Sequence, residues 1–294
     1  MNSRDPKSKK SKLIDMSKIE SIFKKAKREK FAIGQFNFSD FTQLKAIARA
    51  SKELDIPALC GTSQGEASFF GKTNAVALIK KFREKEKIKL YLNFDHGKSY
   101  KELKEAVDNG YDMVHFDGSD LDFDKNIRET KKIVRYAHKK GVLVEGEVSK
   151  IGGKSALFNK KAEKFTLTSL EKIVRFIEET EVDCIALDVG NIHGVFTEMP
   201  KMELERISNL LREVSCFVVL HGGSGIQKKE IREAIDRGVV KININTEIRV
   251  EWIGAIRDFL DKNPDEIVPY KIMPEAEFAV YKKIREKMKL FINK

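Results

Sequence analysis

The 294-residue chain holds only three cysteines, Cys60, Cys184 and Cys216, and no two of them stand at a metal-ligand or redox spacing. All three lie in apolar runs, so they read as small core hydrophobes in a reducing, cytoplasmic compartment. No apolar stretch approaches the ~20 residues a helix needs to cross a bilayer. Lys7, Lys9, Lys10 and Lys12 are followed by no apolar secretory core, and residues 1–12 read as a basic, flexible tail. The chain also lacks a glycine-rich dinucleotide fingerprint after its first strand and any linker that would divide it.

What the chain does have is charge. Fifty-six basic and 45 acidic side chains give a formal net charge of +11, which invites an anionic partner. The excess sits at the ends. Residues 1–30 carry 11 basic and 4 acidic groups, residues 271–294 carry 7 and 3, and the stretch between is neutral. Neither end interleaves aromatics with its charges, so nucleic acid is not the expected partner. At 41% hydrophobic, the chain can bury a sizeable core.

Eight short apolar runs recur: Phe31–Asn37, Pro57–Ser63, Lys89–His96, Met113–Ser119, Leu143–Val148, Cys184–Gly190, Phe217–Gly222 and Lys241–Thr246. Several are apolar at nearly every position, as strands covered on both faces are. Amphipathic helical stretches separate them, Asp124–Lys140 being the clearest. Asp40 is placed to cap the first of these helices, and Gly110 and Gly141 to end two others. The count predicts an α/β fold, a (β/α)₈ barrel spanning residues 13–294 as one domain, with an extra N-terminal helix (Met16–Lys30) and a C-terminal helix (Glu275–Ile292). A doubly wound open sheet is the alternative; the count of eight and the missing fingerprint favour the barrel. The fifth and sixth runs start 41 residues apart against 24 to 33 elsewhere. The surplus, Ser149–Thr166, opens with Ile151-Gly152-Gly153 and is expected to form a lid over the active face.

Three of the five histidines, His96, His193 and His221, fall at strand C-terminal ends, where all would converge on one rim. Three neutral imidazoles with a fourth position open suit a catalytic divalent metal: zinc, cobalt, manganese or iron. His115, inside a strand, and His138, inside a helix, read as structural. Asp95, Asp117, Glu145 and Glu147 crowd the same rim, where they can orient ligand histidines, bind a second cation or move protons. His221-Gly222-Gly223-Ser224-Gly225 and Asn243-Ile244-Asn245-Thr246 follow the seventh and eighth strands, where barrels commonly cradle phosphate. Lys241 is read as opening its strand at the wrong end, which disfavours a Schiff base. A metal, a carboxylate and a phosphate cradle suit carbon–carbon bond chemistry beside a ketone.

Seven stretches in order carry a family likeness: GQFN from Gly34, DHG from Asp95, DGS from Asp117, VEGEVSKIGG ending at Gly153, GNIHG from Gly190, HGGSGI from His221 and KININTE from Lys241. Together they make the chain similar to the class II, metal-dependent fructose-bisphosphate aldolases, including the tagatose-bisphosphate enzymes. The resemblance implies cleavage of a ketose 1,6-bisphosphate, fructose 1,6-bisphosphate foremost, to dihydroxyacetone phosphate and glyceraldehyde 3-phosphate through a zinc-stabilised enediolate. It implies His96, His193 and His221 as metal ligands, with Asp117 and Glu147 at a secondary metal position. Asp95 and Asn243 become the catalytic residues, Asp95 exchanging a proton with the C4 hydroxyl. Ser63, Gly194, Gly222, Ser224, Asn243, Asn245 and Thr246 become substrate and phosphate contacts, Ser63 meeting the far phosphate and Gly194, Gly222 and Ser224 also a monovalent cation. It further implies a homodimer or homotetramer. Three departures stand out. Many relatives follow the fifth-loop Gly-Gly with acidic residues, where this chain has Lys154-Ser155-Ala156, with Glu163 farther on; no carboxylate is assigned to the dihydroxyacetone proton. Asn245 and Thr197 replace a frequent aspartate and lysine. A phosphosugar-binding barrel without turnover is the competing reading.

Overall fold

Each of the eight apolar runs becomes a parallel strand, and the eight close into a barrel in a computed structural model that describes residues 18–162 and 166–292. In chain order the strands are β1 (Ile33–Asn37), β2 (Ala58–Ser63), β3 (Leu90–Gly97), β4 (Met113–Asp117), β5 (Leu143–Glu147), β6 (Gly153–Lys161), β7 (Cys184–Ala186), β8 (His193–Glu198), β9 (Phe217–Leu220) and β10 (Val239–Ile244). All but β6 and β8 belong to the barrel, closed by β1 pairing with both β2 and β10. The helices are α1 (Lys18–Glu29), α2 (Phe41–Leu54), α3 (Gln64–Phe70), α4 (Lys72–Glu86), α5 (Tyr100–Asn109), α6 (Phe123–His138), α7 (Leu170–Thr180), α8 (Glu205–Glu213), α9 (Lys228–Asp236), α10 (Thr246–Lys262) and α11 (Pro269–Phe291). None of the described helices is long and apolar enough to cross a membrane.

Local chemistry sets the boundaries. Asp40 accepts from the Gln43 N–H in a reciprocal capping box that starts α2, and Gly110 ends α5 at φ 99°. The three cysteines are free and buried, as their apolar surroundings require. Residues 1–12 and Glu163 lie outside the described residues.

Two apolar cores hold the barrel. The larger lies between sheet and helices. The smaller fills the N-terminal end, where Ile19, Phe23 and Ala26 of α1 pack on Ile33, Leu59, Met113, Leu143 and Val219. Phe23 is fully buried and meets Phe217 edge-on at 5.5 Å, so this end is plugged. Truncating such a ring typically costs about 3–5 kcal/mol. The extra N-terminal helix thus closes the barrel floor and leaves the C-terminal rim as the open end. The C-terminal helix starts earlier than expected, because Pro269 fits the first turn and Pro274, one turn on, is carried inside the helix. Its stripe of Tyr281, Ile284, Met288 and Phe291 is buried, and the Phe291 carbonyl accepts from the Ala32 N–H at 3.0 Å beside β1.

Two expectations are corrected. The segment after the fifth barrel strand is not a structureless loop. Gly153–Lys161 within it form β6, which pairs in parallel with β8 as a ribbon above the rim, with Phe158 stacked on Phe196 at 4.4 Å. Nor does Lys241 open the last strand. β10 begins at Val239, just after Gly238 turns the chain at φ 117°, so Lys241 lies within the strand and its side chain is fully buried.

Candidate active site at the C-terminal rim

Strand pleating decides which side chains meet at the rim. His115 and Asp117 alternate along β4, Glu145 and Glu147 along β5, and Lys241 and Asn243 along β10, so each pair shares the face turned into the barrel. Above them lies a cavity of about 370 Å³. Asp95, His96, Asp117, Glu147, His193 and Asn243 line one part of it, and Ser63, Gly194, Gly222, Ser224, Asn245 and Thr246 line the rest. His221 is fully buried beneath.

The three expected ligand histidines come together. His96 lies edge-on to His193 and His221, with ring centroids 5.2 and 4.8 Å away, and His193 and His221 are 5.7 Å apart. His96 holds φ at 53°, an uncommon conformation for a side-chain-bearing residue, where the register between β3 and β4 shifts. Its Nδ1 meets Asp117 Oδ2 at 3.1 Å, which leaves Nε2 facing His221 Nδ1 at 3.2 Å. His221 is anchored from the opposite side: its Nε2 donates to Glu145 Oε1 at 2.6 Å, and Lys241 Nζ donates to Glu145 Oε2 at 2.7 Å. All three members of that chain are fully buried. Glu145 therefore orients a histidine, one of the roles open to it from its position on the strand.

Electrostatics sort the protonation states. Burial pushes the His221 pKa below its ordinary value despite Glu145, and burial plus neighbouring imidazoles pushes His193 well below. Both are held neutral, as metal ligands must be. Burial disfavours charge on Asp95, but His96 and the buried Lys241 ammonium outweigh it and hold the carboxyl well below its usual range. Asn37 Nδ2 at 3.1 Å and Asn243 Nδ2 at 3.3 Å hydrogen-bond the Asp95 carboxylate. His115 is fully buried; burial opposes its charge, and Glu145, Asp95 and Glu147 override it and raise its pKa. Its Nδ1 nevertheless accepts the His96 N–H at 3.2 Å, and that fixed backbone hydrogen decides for the neutral ring with its proton on Nε2.

The donor set fits a divalent metal. Ligand bonds of about 2.0–2.1 Å in a tetrahedron place two nitrogens roughly 3.3–3.4 Å apart, close to the gap between His96 and His221. Among the described residues, two groups bring candidate ligand atoms within 4.8 Å of one another: Asp95, His96, His115 and His221, and separately His96, Asp117 and Glu147. His193 belongs to neither, because it enters from the start of β8 rather than from the barrel wall. The buried Asn243 Oδ1 makes no hydrogen bond and is left for an incoming donor or cation.

The anion side is built from backbone. Gly222 sits at φ 62°, and a Cβ there would come within 2.3 Å of the Ile192 carbonyl, so only glycine lets the two segments approach. Ser224 Oγ accepts the Glu247 N–H at 3.3 Å in the first turn of α10, which ties the two loops together. The 17-residue α10 points its positive end into the cavity at Thr246.

Sequence reading set His115 aside as structural, placed Lys241 at the start of its strand, and passed over Glu66 and Arg249. The alternation of Lys241 with Asn243 and the Ser63-to-Glu66 capping-box spacing were the available signals. Ser63 caps α3, and its backbone N–H donates to Glu66 Oε2 at 2.8 Å.

A family model described as "Fructose-bisphosphate aldolase class-II" matches residues 17–294. The chain is 32% identical over 284 residues to the fructose-bisphosphate aldolase of Geobacillus stearothermophilus, covering 95% of this chain and 97% of that one. It is 32% identical over 269 residues to that of Staphylococcus aureus, covering 90% and 93%. The crystal structure of the YdjI aldolase from Escherichia coli K12 superposes with a TM-score of 0.78 at 26% identity, covering 94% and 97%. The fructose-bisphosphate aldolase from Campylobacter jejuni shares the fold at a TM-score of 0.77 and 21% identity, covering 93% of each chain.

Proposed function

We propose, on the premise that this chain belongs to the class II fructose-bisphosphate aldolase family and is a carbon–carbon lyase, that it cleaves a C1-phosphorylated ketose reversibly into dihydroxyacetone phosphate and an aldehyde. Fructose 1,6-bisphosphate is the substrate in the relatives' names and, with tagatose 1,6-bisphosphate, the first to assay. One observation carries the reading: three converging imidazoles stand beside an ionised Asp95 in a cavity walled by the Gly222–Ser224 loop and the start of α10.

His96, His193 and His221 would hold zinc or another divalent ion, with Asp117 and Glu147 as alternative ligands, and a metal there supplies polarisation of the ketose carbonyl. Asp95 takes the proton of the C4 hydroxyl as the carbon–carbon bond breaks, held in place by Asn37 and Asn243. Asn243 also offers its amide to the oxygen on which charge develops. Gly194, Gly222, Ser224 and Thr246 bind the C1 phosphate, Asn245 meets the substrate farther along, and a monovalent cation can share the phosphate loop. The resemblance supports a homodimer or homotetramer working in the cytoplasm.

Release of dihydroxyacetone phosphate from ketose 1-phosphates and 1,6-bisphosphates, followed by its enzymatic reduction with zinc, cobalt or manganese present, tests the reading. Turnover of at least one such ketose is the expected result. Tight binding without turnover, across every sugar and metal, would instead make the chain a phosphosugar-binding barrel.

A further inference from the structure

The corner of the cavity beyond Asp95 is formed by the ends of β1 and β2 and the first turns of α10. Resting on the ketose-phosphate reading above, we propose that this corner selects a substrate whose far end is uncharged and hydroxylated, and that Glu66 rejects a second phosphate there. The aldehyde product is then an unphosphorylated hydroxyaldehyde.

The argument begins with what Glu66 does. It is 5% exposed and accepts from four groups of the corner: Ser63 N–H at 2.8 Å, Asn37 Nδ2 at 3.0 Å, Arg249 Nη2 at 2.6 Å and Asn245 Nδ2 at 3.3 Å. Those donors would suit a phosphate, but the corner already holds its own anion. Arg249, a cation lining this corner, already pairs with that carboxylate through Nη2 and reaches the Ser155 carbonyl through Nη1. A dianion arriving here would meet a buried like charge, which costs several kcal/mol in comparable interfaces. What the corner still offers is acceptors. Asn245 Oδ1 is buried and makes no hydrogen bond, and a fully ionised phosphate has no hydrogen to give it. A hydroxyl does.

The direction of the substrate follows from Asn37, which donates both to Glu66 and to Asp95 at 3.1 Å. A ketose with its phosphate on the Gly222–Ser224 loop and its C4 hydroxyl at Asp95 extends next to Asn37, Ser63 and Glu66. The opposite role for Glu66, aiming Arg249 at a second phosphate, makes the reverse prediction.

The test is kcat/KM for fructose 1-phosphate and fructose 1,6-bisphosphate, read by dihydroxyacetone phosphate release in the unaltered enzyme, Glu66→Gln and Glu66→Ala. The unaltered enzyme should favour fructose 1-phosphate by roughly tenfold or more. Both variants should swing the ratio towards the bisphosphate by a similar factor, chiefly through its KM. A preference of the unaltered enzyme for the bisphosphate overturns the proposal, whether or not Glu66→Ala loosens the α3 cap. A ratio that Glu66→Gln leaves unmoved removes Glu66 as its cause. Turnover of neither sugar, nor of any other ketose phosphate, counts against the underlying aldolase reading instead.

Discussion

At the N-terminal end of the barrel, Asp112 and Asp183 each stand one residue before a strand; at the C-terminal end, Asp95, Asp117 and Glu147 stand at or near the close of one. Asp112 accepts the Leu92 N–H at 2.7 Å and pairs with Arg83. Asp183 accepts the Val144 N–H at 2.7 Å and His138 Nε2 at 2.9 Å. Each therefore has one backbone donor and one side-chain partner of its own, beside a floor that Phe23 seals. At the other end several side chains converge on one another. Asp117 Oδ2 serves both His96 and Lys98, Asp95 is bonded by both Asn37 and Asn243, and two imidazole nitrogens face each other. The same residue types hold strands together where each carboxylate ties a strand's backbone N–H to one side chain. They become available for chemistry where several groups converge on a gap.

The sharpest break in that comparison is His221→Ala. It should lower kcat by more than about 10³-fold and abolish stoichiometric metal binding, with the fold retained by circular dichroism. Next comes Asp95→Asn, which should cost about 10²–10⁴-fold in kcat while metal content, read by elemental analysis, stays at the parent level. Lys241→Met strands Glu145 without its cation in the barrel interior. It should weaken metal affinity about 10–100-fold by competition with a chromogenic chelator, and lower stability to denaturant by about 3–5 kcal/mol. At the floor, Asp112→Ala should cost about 1.5–3 kcal/mol in the same denaturant titration and leave kcat essentially unchanged.

The smallest effect is a pH dependence. The hydrogen bond to Asp183 outweighs burial and raises the His138 pKa above its ordinary 6.5. That stabilisation is fully present below pH 6.5 and is lost as the pH rises through the raised folded value. His138→Gln should therefore lower the melting temperature most at pH 5–6 and progressively less towards alkaline pH. A penalty that grows with pH would contradict this assignment.

The closed end and the open end were unequally legible. The barrel strands announce themselves as near-continuous apolar runs, which makes His96, His193 and His221 conspicuous at their ends. The β6–β8 ribbon does not, because much of β6 is solvent-exposed and rich in lysine, so it reads as an insertion. His115 looked structural because its partners come from β3 and β5, which lie beside β4 only once the strands pair. Lys241 looked peripheral because Val239 and Val240 were left out of its strand. Glu66 is visible as a helix-capping residue, but its contacts with Asn245 and Arg249 span about 180 positions of sequence.

The central claim is that the gap between the rim histidines is where a metal enables carbon–carbon cleavage. Adding zinc stepwise to chelator-stripped protein, while following dihydroxyacetone phosphate release from a turned-over ketose phosphate, tests it most directly. The account predicts no turnover at the start and a linear return of activity that saturates at one metal per chain. Full turnover in verified metal-free protein, unchanged by added metal, would contradict it.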